Sequence, residues 1–90
     1  MVRNERKGKM RFSMKPETPA TAVYLAGNFS NWEPMIMRKQ KDGAFSVTVL
    51  LSPGTYQYKF IVEDKWVPDP DTSTWVPNPF GSMNSVVQVG

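Results

Sequence analysis

Ninety residues with neither cysteine nor histidine can form one domain with a modest core. That composition excludes a disulfide framework, metal ligation by thiolate or imidazole, and any reaction that depends on a histidine base or a cysteine nucleophile. The formal charge is +3 and the pI about 9.4, yet Arg3, Arg6, Lys7, Lys9, Arg11 and Lys15 place six of the eleven basic residues in the first fifteen positions. The excess is local, so residues 1–8 are expected to be a basic, flexible tail and residues 9–90 a single domain, with no nucleic-acid-binding face. No apolar run reaches the roughly 18 residues of a membrane span, and residues 1–10 are too polar for a signal sequence. No membrane association is expected, and the setting is expected to be cytoplasmic.

Residues 9–15 alternate, with Met10, Phe12 and Met14 on one side and Lys9, Arg11, Ser13 and Lys15 on the other, which predicts a half-buried strand. Pro16 and Pro19 interrupt it, and residues 21–26 resume an extended, β-branched and aromatic run before Gly27. Residues 35–38 form a short candidate strand, and Asp42-Gly43 carries the signature of a tight hairpin turn. Phe45, Val47, Val49 and Leu51 then alternate with Ser46, Thr48 and Leu50, and Pro53-Gly54 turns the chain into residues 55–62. There Tyr56, Tyr58, Phe60 and Val62 share one face, so Thr55, Gln57, Lys59 and Ile61 share the other. If the aromatic face is the core face, Gln57 and Lys59 point away from the interior.

Glu63-Asp64-Lys65 reads as a second hairpin turn that returns through Trp66 and Val67. Prolines 68, 70, 77 and 79 bracket a long irregular stretch in which central-strand pairing is disfavoured, because proline has no N–H to donate. Residues 85–89 close the chain as a final strand. No segment of ten or more residues shows a helical period, which predicts an all-β domain, best arranged as a two-sheet sandwich, with a small barrel as the alternative.

Trp32 and Trp66 stand among turn formers and charged residues, where an indole is less readily enclosed. An indole offers a flat, rigid face suited to the apolar C–H patch of a pyranose, and sugar hydroxyls drawn from water need replacement hydrogen bonds. Lys59, Gln57, Asn84 and Ser82 are the candidate partners. The competing assignment places both tryptophans as caps on the two ends of the core.

The order of four motifs resembles the family 48 carbohydrate-binding modules. The motifs are Val23-Tyr24-Leu25-Ala26-Gly27-Asn28-Phe29-Ser30-Asn31-Trp32, then Pro53-Gly54-Thr55-Tyr56-Gln57-Tyr58-Lys59-Phe60-Ile61-Val62, then Trp66-Val67-Pro68-Asp69-Pro70, then Phe80-Gly81-Ser82-Met83-Asn84-Ser85-Val86-Val87-Gln88-Val89. That family includes the glycogen-binding domain of the AMP-activated protein kinase beta subunit and the N-terminal domains of isoamylases, pullulanases and branching enzymes. The resemblance covers residues 11–89. It implies an immunoglobulin-like, early-set β-sandwich of about seven short antiparallel strands. It also implies a non-catalytic module for α-1,4-linked glucans such as glycogen, starch, maltooligosaccharides and cyclodextrin.

By the same resemblance Trp32 and Trp66 stack on glucose units, Lys59 and Asn84 hydrogen-bond hydroxyls, and Phe80, two positions before Ser82, reaches into the ring of an α-glucan. No cofactor is implied, and the chain is expected to be a monomer that serves a partner enzyme or catalytic domain. A structural or docking domain that binds no sugar stays open as the alternative. Two departures stand out. Glu63-Asp64 replaces the family's usual Asp-Gly turn, placing aspartate where positive φ is wanted. Trp75 lies outside the shared motifs and is expected to pack under the proline-rich loop. Asp69 and Asp71, two apart and flanked by prolines, are expected to shape a loop rather than to act as a catalytic pair or a calcium site.

Overall fold

Period-2 alternation drives the chain into two antiparallel sheets in the computed structural model, which describes all residues except Met1, Lys7, Thr18, Ser73, Phe80 and Gly90, and only the backbone of residues 3–6. In chain order the strands are β1 (Val2–Arg6), β2 (Lys9–Met14), β3 (Val23–Gly27), β4 (Met35–Ile36), β5 (Arg38–Lys39), β6 (Phe45–Leu50), β7 (Gly54–Val62), β8 (Lys65–Val67), β9 (Trp75–Pro77) and β10 (Met83–Val89), with one 3-10 turn at Asn28–Ser30. One sheet runs β1-β2-β6-β5. The other runs β4-β3-β7-β10-β9, and β8 pairs with β7 beside that path.

The alternating faces meet as expected. Met10, Phe12, Met14 and Phe45 from the first sheet form one cluster with Val23, Leu25, Tyr58, Phe60 and Val89 from the second. Phe12 meets Tyr58 edge-on at 5.1 Å between ring centroids, and Tyr58 meets Phe60 at 5.8 Å in the same manner. Each such ring, fully removed from water, contributes about 1.5–3 kcal/mol. The architecture is therefore the all-β sandwich that the patterning predicts.

Ten strands replace the expected seven or so among the described residues, for three local reasons. Val2–Arg6 lies within the expected tail, but it pairs with the open edge of β2, with Val2 packed against the core. Gly8, at φ +79, makes the return to β2. The candidate strand at residues 35–38 divides between the sheets. Ile36 pairs with Tyr24 and Arg38 with Ser46, while Met37 between them is buried and donates its N–H to the Val23 carbonyl at 2.9 Å. Finally, part of the proline-bracketed stretch forms β9, whose edge position tolerates Pro77.

Both predicted hairpin turns form. Residues 41–43 are bracketed by a 2.7 Å bond from Gln40 N–H to Ala44 C=O, and Gly43 takes φ +89. Val62 pairs with Lys65 across Glu63 and Asp64, which both hold positive φ, at 50° and 66°. This is the two-residue turn whose twist matches the strands it joins. Glu63 tolerates the position with help, since its Oε1 accepts from the Thr21 N–H at 2.9 Å.

Candidate functional site

The register of β7 explains where the polar face of the second sheet is open. One edge of β7 pairs with β3 from Gly27↔Tyr58 to Val23↔Val62. Its other edge pairs with β10 over residues 54–58 and with β8 over residues 60–62. Lys59 falls at the notch between those two registers. Because directly paired residues share a face, Trp66, opposite Ile61, stands on the same outer face as Lys59 and Gln57. Asn84 on β10 lies next along that face.

Trp32 arrives from a loop that the sequence builds tightly. Gly27 is closely approached: a Cβ there would collide with the Phe29 ring and stand 2.7 Å from the Gln57 carbonyl oxygen. Phe29 tucks against Phe12 and Tyr56, at 5.5 and 6.1 Å between ring centroids. Asn28 Oδ1 accepts from the Gln57 N–H at 3.2 Å, tying the loop to β7. Ser30 Oγ lies 3.0 Å from the carbonyl oxygens of both Gly27 and Glu33, either of which can take its one hydrogen. The chain then turns through Asn31 and Trp32, both with positive φ, at 54° and 62°, and the Trp32 N–H donates to Gly27 C=O at 2.8 Å. Asparagine adopts that region readily. For tryptophan it carries strain, on the order of 1–3 kcal/mol, of the kind concentrated at binding loops.

These elements enclose a cleft of about 730 Å³, lined by Trp32, Gln57, Lys59, Trp66, Asn78, Pro79, Ser82 and Asn84. Its size suits a small-molecule or oligosaccharide site. Six of the seven residues predicted from sequence thus come together; the seventh, Phe80, lies outside the described residues. Trp66 is 47 % exposed and Trp32 half-buried, so neither is a wholly enclosed core residue. Lys59 is on the outer face as predicted, but at 5 % exposure it is roofed over rather than projecting into water. Trp75, expected to pack under the loop, stands 45 % exposed on the edge strand and does not line the cleft.

A connected set of hydrogen bonds fixes the polar lining. Lys59 Nζ donates to Ser82 Oγ, and the Ser82 N–H donates to Asn78 Oδ1 at 3.1 Å. Asn78 Nδ2 donates to Asn84 Oδ1 at 2.9 Å, and Asn84 Nδ2 to Gln57 Oε1 at 3.1 Å. Two further backbone bonds close the turn, from the Asn78 N–H to Ser82 C=O at 2.9 Å and from the Gly81 N–H to Asn78 C=O at 3.3 Å. Every buried side-chain nitrogen and oxygen among the described residues has a partner. Asn78 and Pro79 were missed from sequence. The available signal was the Pro77-Asn78-Pro79 run, in which the flanking prolines stiffen the backbone around one amide.

Asp69 and Asp71 lie outside the cleft lining. Asp69 is wholly buried, where Oδ2 accepts from the Tyr58 hydroxyl at 2.7 Å, Oδ1 accepts from the Asp71 N–H at 2.9 Å, and its own N–H donates to Ser85 Oγ at 2.7 Å. Burial, the bond to Asp69 and the negative charges of Asp69 and Asp71 push the Tyr58 hydroxyl far above its ordinary value, against an opposing hydrogen bond with Thr72. The acid pair therefore anchors the loop to the core.

Two indoles, one ammonium and a set of amides line the cleft, with no carboxylate among its described residues. The sandwich that carries it is that of a carbohydrate-binding module. The chain belongs to the family described as the glycogen recognition site of AMP-activated protein kinase, whose model matches residues 10–90.

Among its relatives is the 5'-AMP-activated protein kinase subunit beta-1 of Sus scrofa, 34% identical over 67 residues that cover 74% of this chain and 53% of that sequence. The same subunit of Bos taurus is 36% identical over 67 residues, covering 24% of its length. Protein PTST homolog 2, chloroplastic, of Arabidopsis thaliana is 42% identical over 52 residues, which are 57% of this chain and 10% of that protein. The chain thus spans about half of one relative and a quarter or less of the others. The fold matches a putative alpha amylase from Salmonella typhimurium, with a TM-score of 0.78 and 24% identity over 97% of this chain and 14% of that one. It also matches a maltogenic amylase from S. marinus, with a TM-score of 0.72 and 25% identity over 91% of this chain and 13% of that one.

Proposed function

We propose that the cleft holds a stretch of α-1,4-linked glucan, with glucose rings stacked on Trp32 and Trp66. In this reading Lys59, Asn84, Gln57 and Ser82 replace the water lost from the sugar hydroxyls, and Phe80, two positions before Ser82 in sequence, adds a further contact. The observation that carries the proposal is the meeting of both tryptophans and the hydrogen-bonded lysine, serine and amides in one cleft. A preformed lining keeps the ordering cost low, yet two stacked rings and a few hydrogen bonds must still offset the lost freedom of the sugar. The expected dissociation constant is micromolar to millimolar, about −4 to −8 kcal/mol.

The matched relatives are longer proteins. In such a setting a weak module serves by tethering, holding a partner enzyme or catalytic domain at high effective concentration near its polymer. A monomeric, cytoplasmic module fits that use. The decisive experiment is titration of the purified chain with maltoheptaose and β-cyclodextrin, followed by tryptophan fluorescence, with cellohexaose as control. Saturable quenching by the α-linked sugars alone establishes the reading. No response at millimolar α-glucan overturns it in favour of a docking domain.

A further inference from the structure

The hydrogen bonds lining the cleft have a direction, and groups with only one option set it. Lys59 Nζ can only donate, so Ser82 Oγ is its acceptor. The Ser82 backbone N–H can only donate, so Asn78 must turn Oδ1 toward it. That leaves Asn78 Nδ2 facing Asn84, which must answer with Oδ1, and Asn84 Nδ2 in turn faces Gln57 Oε1. The O and N assignments of three amides, ordinarily ambiguous, thus follow from one backbone amide. Each of these three amide oxygens already accepts a bond within the set and keeps at most one lone pair, whereas several hydrogens are left over: those of Gln57 Nε2, the second hydrogen of Asn84 Nδ2 and the unused hydrogens of the Lys59 ammonium, together with the Ser82 hydroxyl hydrogen.

We infer that this anchored polarity makes the floor of the cleft a donor surface that reads sugar hydroxyls through their lone pairs, with Asn78 as the positioning residue that sets it. The inference rests on the reading of the cleft as a glucan site. A hydroxyl held against this floor acts as acceptor and keeps its own hydrogen for water or for a neighbouring sugar. Removing its oxygen therefore costs affinity, whereas replacing it with a group that accepts but cannot donate costs little. Asn78 touches no sugar in this scheme. It acts through Asn84 and Gln57.

Asn78→Asp tests the polarity directly. One carboxylate oxygen still accepts from the Ser82 N–H. The other now faces Asn84 and forces its Nδ2 round, so that Asn84 Oδ1 faces Gln57, which must turn its Nε2 inward and present Oε1 to the cleft. The experiment measures fluorescence titrations with maltotriosides carrying a single deoxy or a single deoxyfluoro substitution at each hydroxyl-bearing position in turn. The ¹⁵N side-chain amide spectra of the ligand-free wild type and variant are recorded in parallel.

In the wild type, at the floor-facing hydroxyl, the deoxy sugar is expected to lose about tenfold in affinity and the deoxyfluoro sugar no more than about twofold to threefold. In Asn78→Asp that ratio collapses toward one, and the Asn84 and Gln57 amide resonances shift. Equal loss for both analogues in the wild type overturns the donor floor. Unmoved Asn84 and Gln57 resonances in a folded variant overturn the role of Asn78. Should Asn78→Asp fail to fold, Asn78→Ser, which keeps an acceptor for the Ser82 N–H and removes the Nδ2 donor, is read in the same spectra. The spectra need no ligand, so failure of the wild type to bind any glucan would sink the glucan reading while the amide polarity is still measured.

Discussion

A tryptophan that is 47 % exposed, on a short strand returning from a two-residue turn, contributes little to the core, so Trp66 can be tested with small risk to folding. Trp66→Ala is expected to weaken maltoheptaose binding at least tenfold while lowering the unfolding free energy by no more than about 1 kcal/mol. Trp32→Ala should weaken binding to a similar degree. The Trp32 side chain is only half-buried and lies in a loop outside the core cluster, so stability should change little. Parallel fluorescence or calorimetric titrations and thermal melts check both. A large fall in melting temperature in both variants, with binding per folded molecule unchanged, would return them to the core. Lys59 is different in kind: it is covered and bonded to Ser82, so on the proposed reading Lys59→Ala should lower stability and affinity together.

At the scale of elements, two turns hold the aromatic pair in place, and each has a weak point. At Gly27 a methyl group meets the Phe29 ring and the Gln57 carbonyl. Gly27→Ala should therefore cost about 1–3 kcal/mol, and with it some binding, because Phe29 anchors the loop that carries Trp32. At the β7–β8 turn, Asp64→Gly should raise stability by up to about 1 kcal/mol, since glycine occupies positive φ without penalty. Glu63→Gly should gain less, because it also removes the acceptor for Thr21. Thermal denaturation of the three variants separates these effects.

The elements legible in the sequence were those with an unambiguous period: residues 9–15, 45–51 and 55–62, where alternation fixes the buried face and thereby the outward placement of Gln57 and Lys59. The illegible ones were decided by pairing. The residue 35–38 run reads as one short strand, but the two sheets compete for it and Met37 becomes the crossing point. β9 was hidden by its proline, which an edge strand accepts. Asn78 escaped notice because its role depends on meeting Ser82 and Asn84 across a turn, a relation that no local pattern encodes.

At the scale of the whole molecule, the core is coupled to the long 68–74 connection through two buried hydroxyls, those of Tyr58 and Ser85, which both bond Asp69. Tyr58 is packed against Phe12 and Phe60 on one side and donates to Asp69 on the other, so the loop is fastened to the ring that lies at the centre of the sandwich. Its hydroxyl titrates far above the ordinary value of 10.0 in the folded protein and near that value in the unfolded chain. Below about pH 10 both states hold the proton, so the contribution of Tyr58 is complete and independent of pH. Above it the unfolded chain releases the proton while the folded protein keeps it, and stability falls by up to about 1.4 kcal/mol per pH unit.

Tyr58→Phe removes this proton. It also takes from the buried Asp69 carboxylate one of its donors, which should cost about 1–3 kcal/mol at neutral pH. The stability gap between wild type and variant should then narrow as pH rises from 10 toward 12. Urea unfolding of the pair at pH 7, 10, 11 and 12 measures that gap directly. A gap that stays constant across the series would mean that the Tyr58 hydroxyl ionises in the folded state as readily as in the unfolded one, and that the Asp69 anchor opens before the sandwich does.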